Sequence, residues 1–163
     1  MYKLLNVGTL KQLTEKAVTN QKKRMHLNLH SSPSEPVQKI FNAISKDSYI
    51  RPHRHSSDLK EELLIVLIGE ITLVIFDDTG EVIQARLLGG NESSYENFAV
   101  EIEPCTWHTV ISNSHDTVIL EIKAGPFDPN FSKDPAKWAP FEGSKEAREY
   151  FKQMRLKALQ IRK

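Results

Sequence analysis

From residue 24 to residue 125 the chain is written in a period of two. Met25, Leu27 and Leu29 alternate with Arg24, His26, Asn28 and His30, so in an extended chain the polar side chains share one face. Further runs of strand character follow at 37–44, 49–51, 62–68, 71–76, 81–88, 99–103, 108–112 and 117–123. Turn signals separate them, among them Gly69-Glu70 and Asp77-Asp78-Thr79-Gly80, together with a polar loop at 89–97. The runs at 62–68 and 71–76 are apolar on both faces, as suits strands with one face in a core and the other covered. Many short strands with regular turns leave few solutions, and the expected fold is mainly β, an antiparallel sandwich or barrel.

Helices flank this region. Thr9 is the expected N-cap of a helix over about 9–20, in which Leu10, Leu13, Ala17 and Val18 recur at helical spacing. Beyond Gly143-Ser144 the residues Ala147, Tyr150, Phe151, Met154, Ala158 and Ile161 form an apolar stripe, predicting a C-terminal helix over about 144–161 that docks on the barrel. Between them, 125–143 is rich in proline and has no period, and reads either as a lid or edge cover or as a plain connector. The whole, 1–163, is expected to be a single domain with its barrel over about 24–125.

Composition removes some functions. Lys+Arg number 22 and Asp+Glu 21, leaving a net charge of +1, so the chain has no overall field for nucleic acid. No apolar run approaches the ~20 residues that cross a bilayer, and residues 1–10 do not read as a signal peptide, so a cytoplasmic protein without membrane partners is expected. The single cysteine, Cys105, cannot close an intramolecular disulfide.

Chemistry concentrates at three places. In Arg51-Pro52-His53-Arg54-His55 the two imidazoles point the same way in an extended chain, a two-ligand fork for a metal. Glu62 shares a strand face with Leu64, Val66 and Ile68 and can therefore look into a barrel, whereas Glu61, the competing carboxylate, has the opposite parity. His108 opens a strand directly after the turn Pro104-Cys105-Thr106-Trp107. His53, His55, His108 and Glu62 together suit one divalent ion, Zn, Fe, Mn or Ni, with positions left for water or substrate. Cys105 is either a soft companion to His108 or an incidental turn residue. Trp107 is expected to pack on the outer face.

His53, His55, Glu62, Gly69 and His108 resemble the two motifs of the cupin superfamily: a His-x-His pair followed by Glu and Gly, then Pro-x-Gly-x-x-His with a later Asn, near which Asn113 falls. Glu62 to Gly69 has that motif's spacing, while the interval from His55 to Glu62 is longer than usual, Cys105 stands in the glycine place and Pro104 comes one residue late. Over nearly the whole chain the sequence is similar to the WbuC family of cupin-fold metalloproteins, found with bacterial O-antigen gene clusters. Leu27-Asn28-Leu29-His30, Pro36-Val37-Gln38, Phe41-Asn42, Arg51-Pro52-His53-Arg54-His55, Phe76-Asp77, Thr106-Trp107-His108-Thr109-Val110, Lys123-Ala124-Gly125-Pro126 and Trp138-Ala139-Pro140 carry that similarity. The resemblance implies a small cupin-type jelly-roll barrel with a metal inside.

The polar face of Arg24, His26, Asn28 and His30 either faces water or lines the barrel mouth, where with Arg51 and Lys123 it would hold a polar or anionic small molecule beside the metal. His26 and His30 are then the acid/base candidates. Two functions are compatible with this: a metal-dependent isomerase or epimerase, hydrolase or dioxygenase on a small, sugar-derived molecule, or a non-catalytic ligand-binding or sensor module. A homodimer would cover the exposed sheet edges.

Overall fold

Asn6 sets the start of the first helix. Its side-chain oxygen accepts the Thr9 N–H at 3.1 Å, and α1 runs Val7–Thr19. The cap thus precedes the expected Thr9, whose own N–H is one of the free donors that asparagine satisfies. The computed structural model describes residues 2–57, 59–90, 93–131 and 133–162, so part of the polar loop expected at 89–97 lies outside the described residues.

The strands are β1 (Arg24–Asn28), β2 (Val37–Ile44), β3 (His53–Arg54), β4 (Glu62–Ile68), β5 (Glu70–Phe76), β6 (Val82–Gly89), β7 (Ala99–Ile102), β8 (Trp107–Ser112), β9 (Thr117–Ala124) and β10 (Asp134–Pro135), followed by the helix α2 (Lys145–Ile161). They form two antiparallel five-stranded sheets, β1-β2-β9-β4-β7 and β10-β3-β8-β5-β6. Residues 49–51, expected to be a strand, join neither sheet. Pro52 has no N–H to give a ladder, and the Ile50 carbonyl accepts the Thr109 hydroxyl at 2.8 Å instead.

Period two explains the layers. The inward side chains of both sheets, Ile44, Leu64, Val66, Ile71, Leu73, Leu88, Ile102, Val110 and Ile119, interdigitate as the central core. The opposite faces are covered by the helices. Leu13 and Ala17 of α1 pack on Phe41, Ala43 and Val118 of the first sheet, with Met25, Leu27 and Leu29 beside them. Met154 and Ala158 of α2 pack on Val74, Phe76, Ala85 and Ile111 of the second. This is why β4 and β5 are apolar on both faces, and why β1 turns Arg24 and His26 away from α1.

The segment at 125–143 is an edge cover. Asp134 and Pro135 pair with Arg54 and His53, extending the second sheet by β10. Trp138 lies against Phe76 and Trp107, and the Tyr49 hydroxyl donates to the Pro140 carbonyl at 3.0 Å. Trp107 is half-buried on the outer face, with its indole N–H on Asp78 and Arg54 above its ring at 4.3 Å.

Candidate metal centre

Three strands and one connection bring four ligand groups to one end of the core. His53 on β3 stands opposite His108 on β8 in the sheet register, and their ring centroids are 4.6 Å apart. His55 follows His53 by two residues with its ring on the same side, 5.6 Å from it. The connection bearing His55 is tied to the turn before β8, because the Cys105 N–H donates to the His55 carbonyl at 3.1 Å. Glu62, the first residue of β4, completes the set from the opposite sheet.

One ligand atom from each of His53, His55, Glu62 and His108 lies within 4.8 Å of the others. A Glu62 carboxylate oxygen is 3.2 Å from His108 Nε2 and 3.6 Å from His55 Nε2. The far sides of two rings face backbone carbonyls: His108 Nδ1 is 2.9 Å from the Thr106 oxygen and His53 Nδ1 3.1 Å from that of Arg51. Donation from Nδ1 to a carbonyl fixes the ring and leaves the Nε2 lone pair for a metal.

Electrostatics point the same way. Burial, reinforced by His108 and Lys133, holds the His53 pKa well below the ordinary imidazole value, so the ring is neutral and able to ligate. Burial pushes the Glu62 carboxyl up, but the His108 and His55 rings against it and the Lys123 charge beside it prevail and hold it well below the usual range. Three imidazoles and a carboxylate are the donor set that a divalent transition metal takes.

The competing ligands separate cleanly. Glu61 is exposed and outside the cluster, as its strand parity requires. Cys105 is exposed and also outside it. Its φ of +66° is the left-handed conformation that favours glycine, so it occupies the backbone role of the motif glycine without being one. Cys105→Gly is expected to raise stability by roughly 0.5–1 kcal/mol, strain relief outweighing the added freedom of the unfolded chain. Metal content should be unchanged, read by denaturant midpoint and elemental analysis on the same samples.

The cluster opens on a cavity of about 450 Å³ between the sheets. Ile44, Ile50, Leu64, Val110 and Ile119 give it an apolar wall. Arg24, His26 and Lys123 line it, as does the metal cluster itself. Asn28 and His30 do not. β1 ends at Asn28, which is exposed, and the His30 ring lies 3.1 Å from the backbone of Lys39. Arg51 is likewise taken elsewhere, with Nη2 donating to the Ala136 carbonyl at 2.5 Å and the guanidinium 4.3 Å from the Phe141 ring centre.

Sequence reading missed Asn42, Glu121, Lys22 and Lys133, all of which line the cavity. Asn42 donates to Glu121 at 2.7 Å, and Lys123 reaches Glu121 at 2.9 Å and Glu62 at 3.9 Å. The signal was present for Glu121: with Lys123 it makes a polar pair at period two inside an otherwise apolar strand. Lys133 had none, because a loop without period carries no facing information.

At the open end Glu142 ties the edge-cover segment to β1. Its carboxylate meets Arg24 at 2.6 Å and Lys22 at 3.2 Å. Burial pushes its pKa up, but these two cations outweigh it and hold the carboxyl below 4.5. A lowered folded pKa contributes stability that is complete above the unfolded value and is lost as pH falls through the folded one. Glu142→Gln is therefore expected to cost about 1 kcal/mol at pH 7 and to lose less stability than wild type below pH 4.5, checked by urea midpoints across that range.

Solved structures share this architecture. Protein SO0799 from Shewanella oneidensis is similar at a TM-score of 0.58 and 12% identity, covering 98% of this chain and 99% of that one. The polyketide cyclase RemF from Streptomyces resistomycificus gives 0.57 and 17%, covering 88% and 86%. KdgF from Halomonas sp. gives 0.50 and 13%, covering 69% and 86%. At such identities the likeness establishes the fold, a cupin-type jelly roll. No curated protein sequence matches the chain. The family described as "Domain of unknown function (DUF6016)" matches residues 5–88, which carry α1, β1 to β5 and three of the four clustered ligands. With more than half of its residues in that match, the chain belongs to the DUF6016 family and carries it on a cupin fold.

Proposed function

We propose that this protein is a metal-dependent cupin enzyme acting on one small polar molecule. The observation that carries the reading is the union of the half-buried His53 and the buried His55, Glu62 and His108 with a 450 Å³ cavity that has both apolar and ionisable walls. Drug-sized and metabolite ligands occupy cavities of roughly 300–1,000 Å³. A divalent ion held by those four residues supplies Lewis acidity, or redox chemistry if it is iron.

The chain's own contribution is positioning and proton transfer. His26 faces the cavity and is a candidate acid/base. Glu121 is a second: burial and the charge of Glu62 push its carboxyl up, toward a form that can give a proton, while Asn42 and Lys123 hold its two oxygens. The sequence similarity to the WbuC family supports a sugar-derived substrate linked to bacterial surface polysaccharide, handled in the cytoplasm by a homodimer joined along an open edge such as β1.

Loading with Mn(II) and measuring the relaxation of water protons tests the central claim. Fast-exchanging water on the bound ion, together with turnover of a sugar-derived compound that is lost in Glu121→Gln, is the expected result. An ion closed to water would make the centre structural, and ligand binding without turnover would make the protein a sensor module.

A further inference from the structure

Charge around the cavity does not balance. At the buried end Lys123 is satisfied by Glu121, with Glu62 beside it, and Glu62 belongs to the ligand cluster. At the open end Lys22 and Arg24 share a single carboxylate oxygen of Glu142. Lys133 adds another positive charge to the same wall and, among the described residues, has no ion pair with a carboxylate. Asp134 beside it is taken by Ser56 and Ser57. Arg24 is held in place by the Tyr49 carbonyl at 2.9 Å and the Ser48 hydroxyl at 3.3 Å, and its five-donor guanidinium has capacity beyond these bonds. Two positive charges thus remain uncompensated at the mouth, and a divalent ion would add one more over Glu62.

We infer that the ligand is an anion, a monosaccharide-sized molecule bearing a carboxylate or phosphate, whose charged group binds between Lys133 and Arg24 while its other end faces the metal cluster. This rests on the reading of the cluster as a ligand-binding metal centre. Ile44, Ile50 and Ile119 line the same cavity as these cations and the metal cluster, so one molecule can meet all three at once. Lys133 is exposed as a residue, but desolvation of its amine at the cavity, opposed by the charge of Glu142, keeps it below its ordinary pKa, and an arriving anion would relieve that cost. The segment 125–143 is then part of the binding site as well as an edge cover, and Lys133 is the specificity residue it delivers. A cation in a partly desolvated cleft also raises the local concentration of anions, so association should weaken with salt.

The test titrates the metal-loaded protein with D-glucuronate, D-glucose 6-phosphate and D-glucose by calorimetry. Binding of at least one anion, with glucose weaker by about tenfold or more, is expected. Lys133→Met, which keeps the aliphatic stem, should weaken the anion about tenfold and remove most of its preference over glucose, and Lys133→Arg should restore it. Equal binding of glucose and its charged counterparts, no binding of either anion, or wild-type anion affinity in Lys133→Met would overturn the inference. Metal content measured on each sample separates the two failures: a loaded protein indifferent to charge refutes only the anion, whereas a protein that takes up no metal refutes the reading of the centre.

Discussion

A His53→Ala, His108→Ala double variant emerges from purification without divalent metal, whereas the wild-type chain carries one ion per molecule. That is the expected result of elemental analysis, and its size follows from the ligand count. Four-ligand zinc sites in small peptides hold their ion with about 10–16 kcal/mol, roughly 3 kcal/mol per ligand, so removing two weakens the site by about four powers of ten. The backbone should tolerate the change, because His53 contributes to a two-residue strand and His108 is the second residue of β8, near its end rather than its middle. Metal at one hundred times its dissociation constant stabilises wild type by about 2.7 kcal/mol, a rise in Tm of roughly 5–11 °C, and leaves the variant unmoved. Glu61→Gln, altering an exposed carboxylate outside the cluster, keeps the ion. Equal metal content in wild type and double variant would refute the site.

The second large effect concerns a residue with no chemistry. Gly125 follows β9, the strand that carries Glu121 and Lys123, and its N–H donates to the Pro36 carbonyl at 2.8 Å. A Cβ added there would lie 1.8 Å from the Glu35 carbonyl oxygen, which is backbone and cannot swing away. That oxygen also accepts the Gln38 side-chain amide at 2.8 Å, and Gln38 is 1% exposed. Gly125→Ala must therefore push two chain segments apart and break the shortest bond of a buried amide, leaving it the Pro33 carbonyl at 3.2 Å. The expected cost is about 3 kcal/mol or more, a loss of roughly 6–12 °C in Tm by calorimetry. Gly143→Ala is the control: its φ is +82°, but its added Cβ meets nothing within 4 Å, so only the conformational strain of about 1–2 kcal/mol applies. A Gly125→Ala protein melting with wild type would show that the two segments separate freely.

How far the chain can be read without coordinates differs from residue to residue. Glu62 was separable from Glu61 by parity alone, since neighbouring residues on a strand face opposite ways and only one side of β4 looks into the core. His53 and His55 were paired by the same rule. Their meeting with His108 depends on the β3–β8 register and on the Cys105 N–H holding the His55 carbonyl, both contacts between distant parts of the chain. The N-cap moved from Thr9 to Asn6 because caps compete locally, and the strand expected at 49–51 was lost to Pro52 and to a hydroxyl from β8.

The polar face of β1 shows the boundary most plainly. Alternation placed Arg24, His26, Asn28 and His30 together, and a period cannot say where a cavity stops. Only the packing of β1 beside β2 and the return of 125–143 across the open end decided that Arg24 and His26 line the cavity while His30 lies against Lys39. Arg51, equally charged and near in sequence to the ligands, was drawn off by the Ala136 carbonyl and the Phe141 ring. Sequence by itself determined the strand period, the two-sided burial of β4 and β5, and the choice of His53, His55, Glu62 and His108 as candidates, because each is a local property of alternation and residue type. Tertiary structure alone decided the cavity, the Asn42–Glu121–Lys123 network and the placement of Lys133, because these bring together residues far apart in the chain, and no local pattern encodes that meeting.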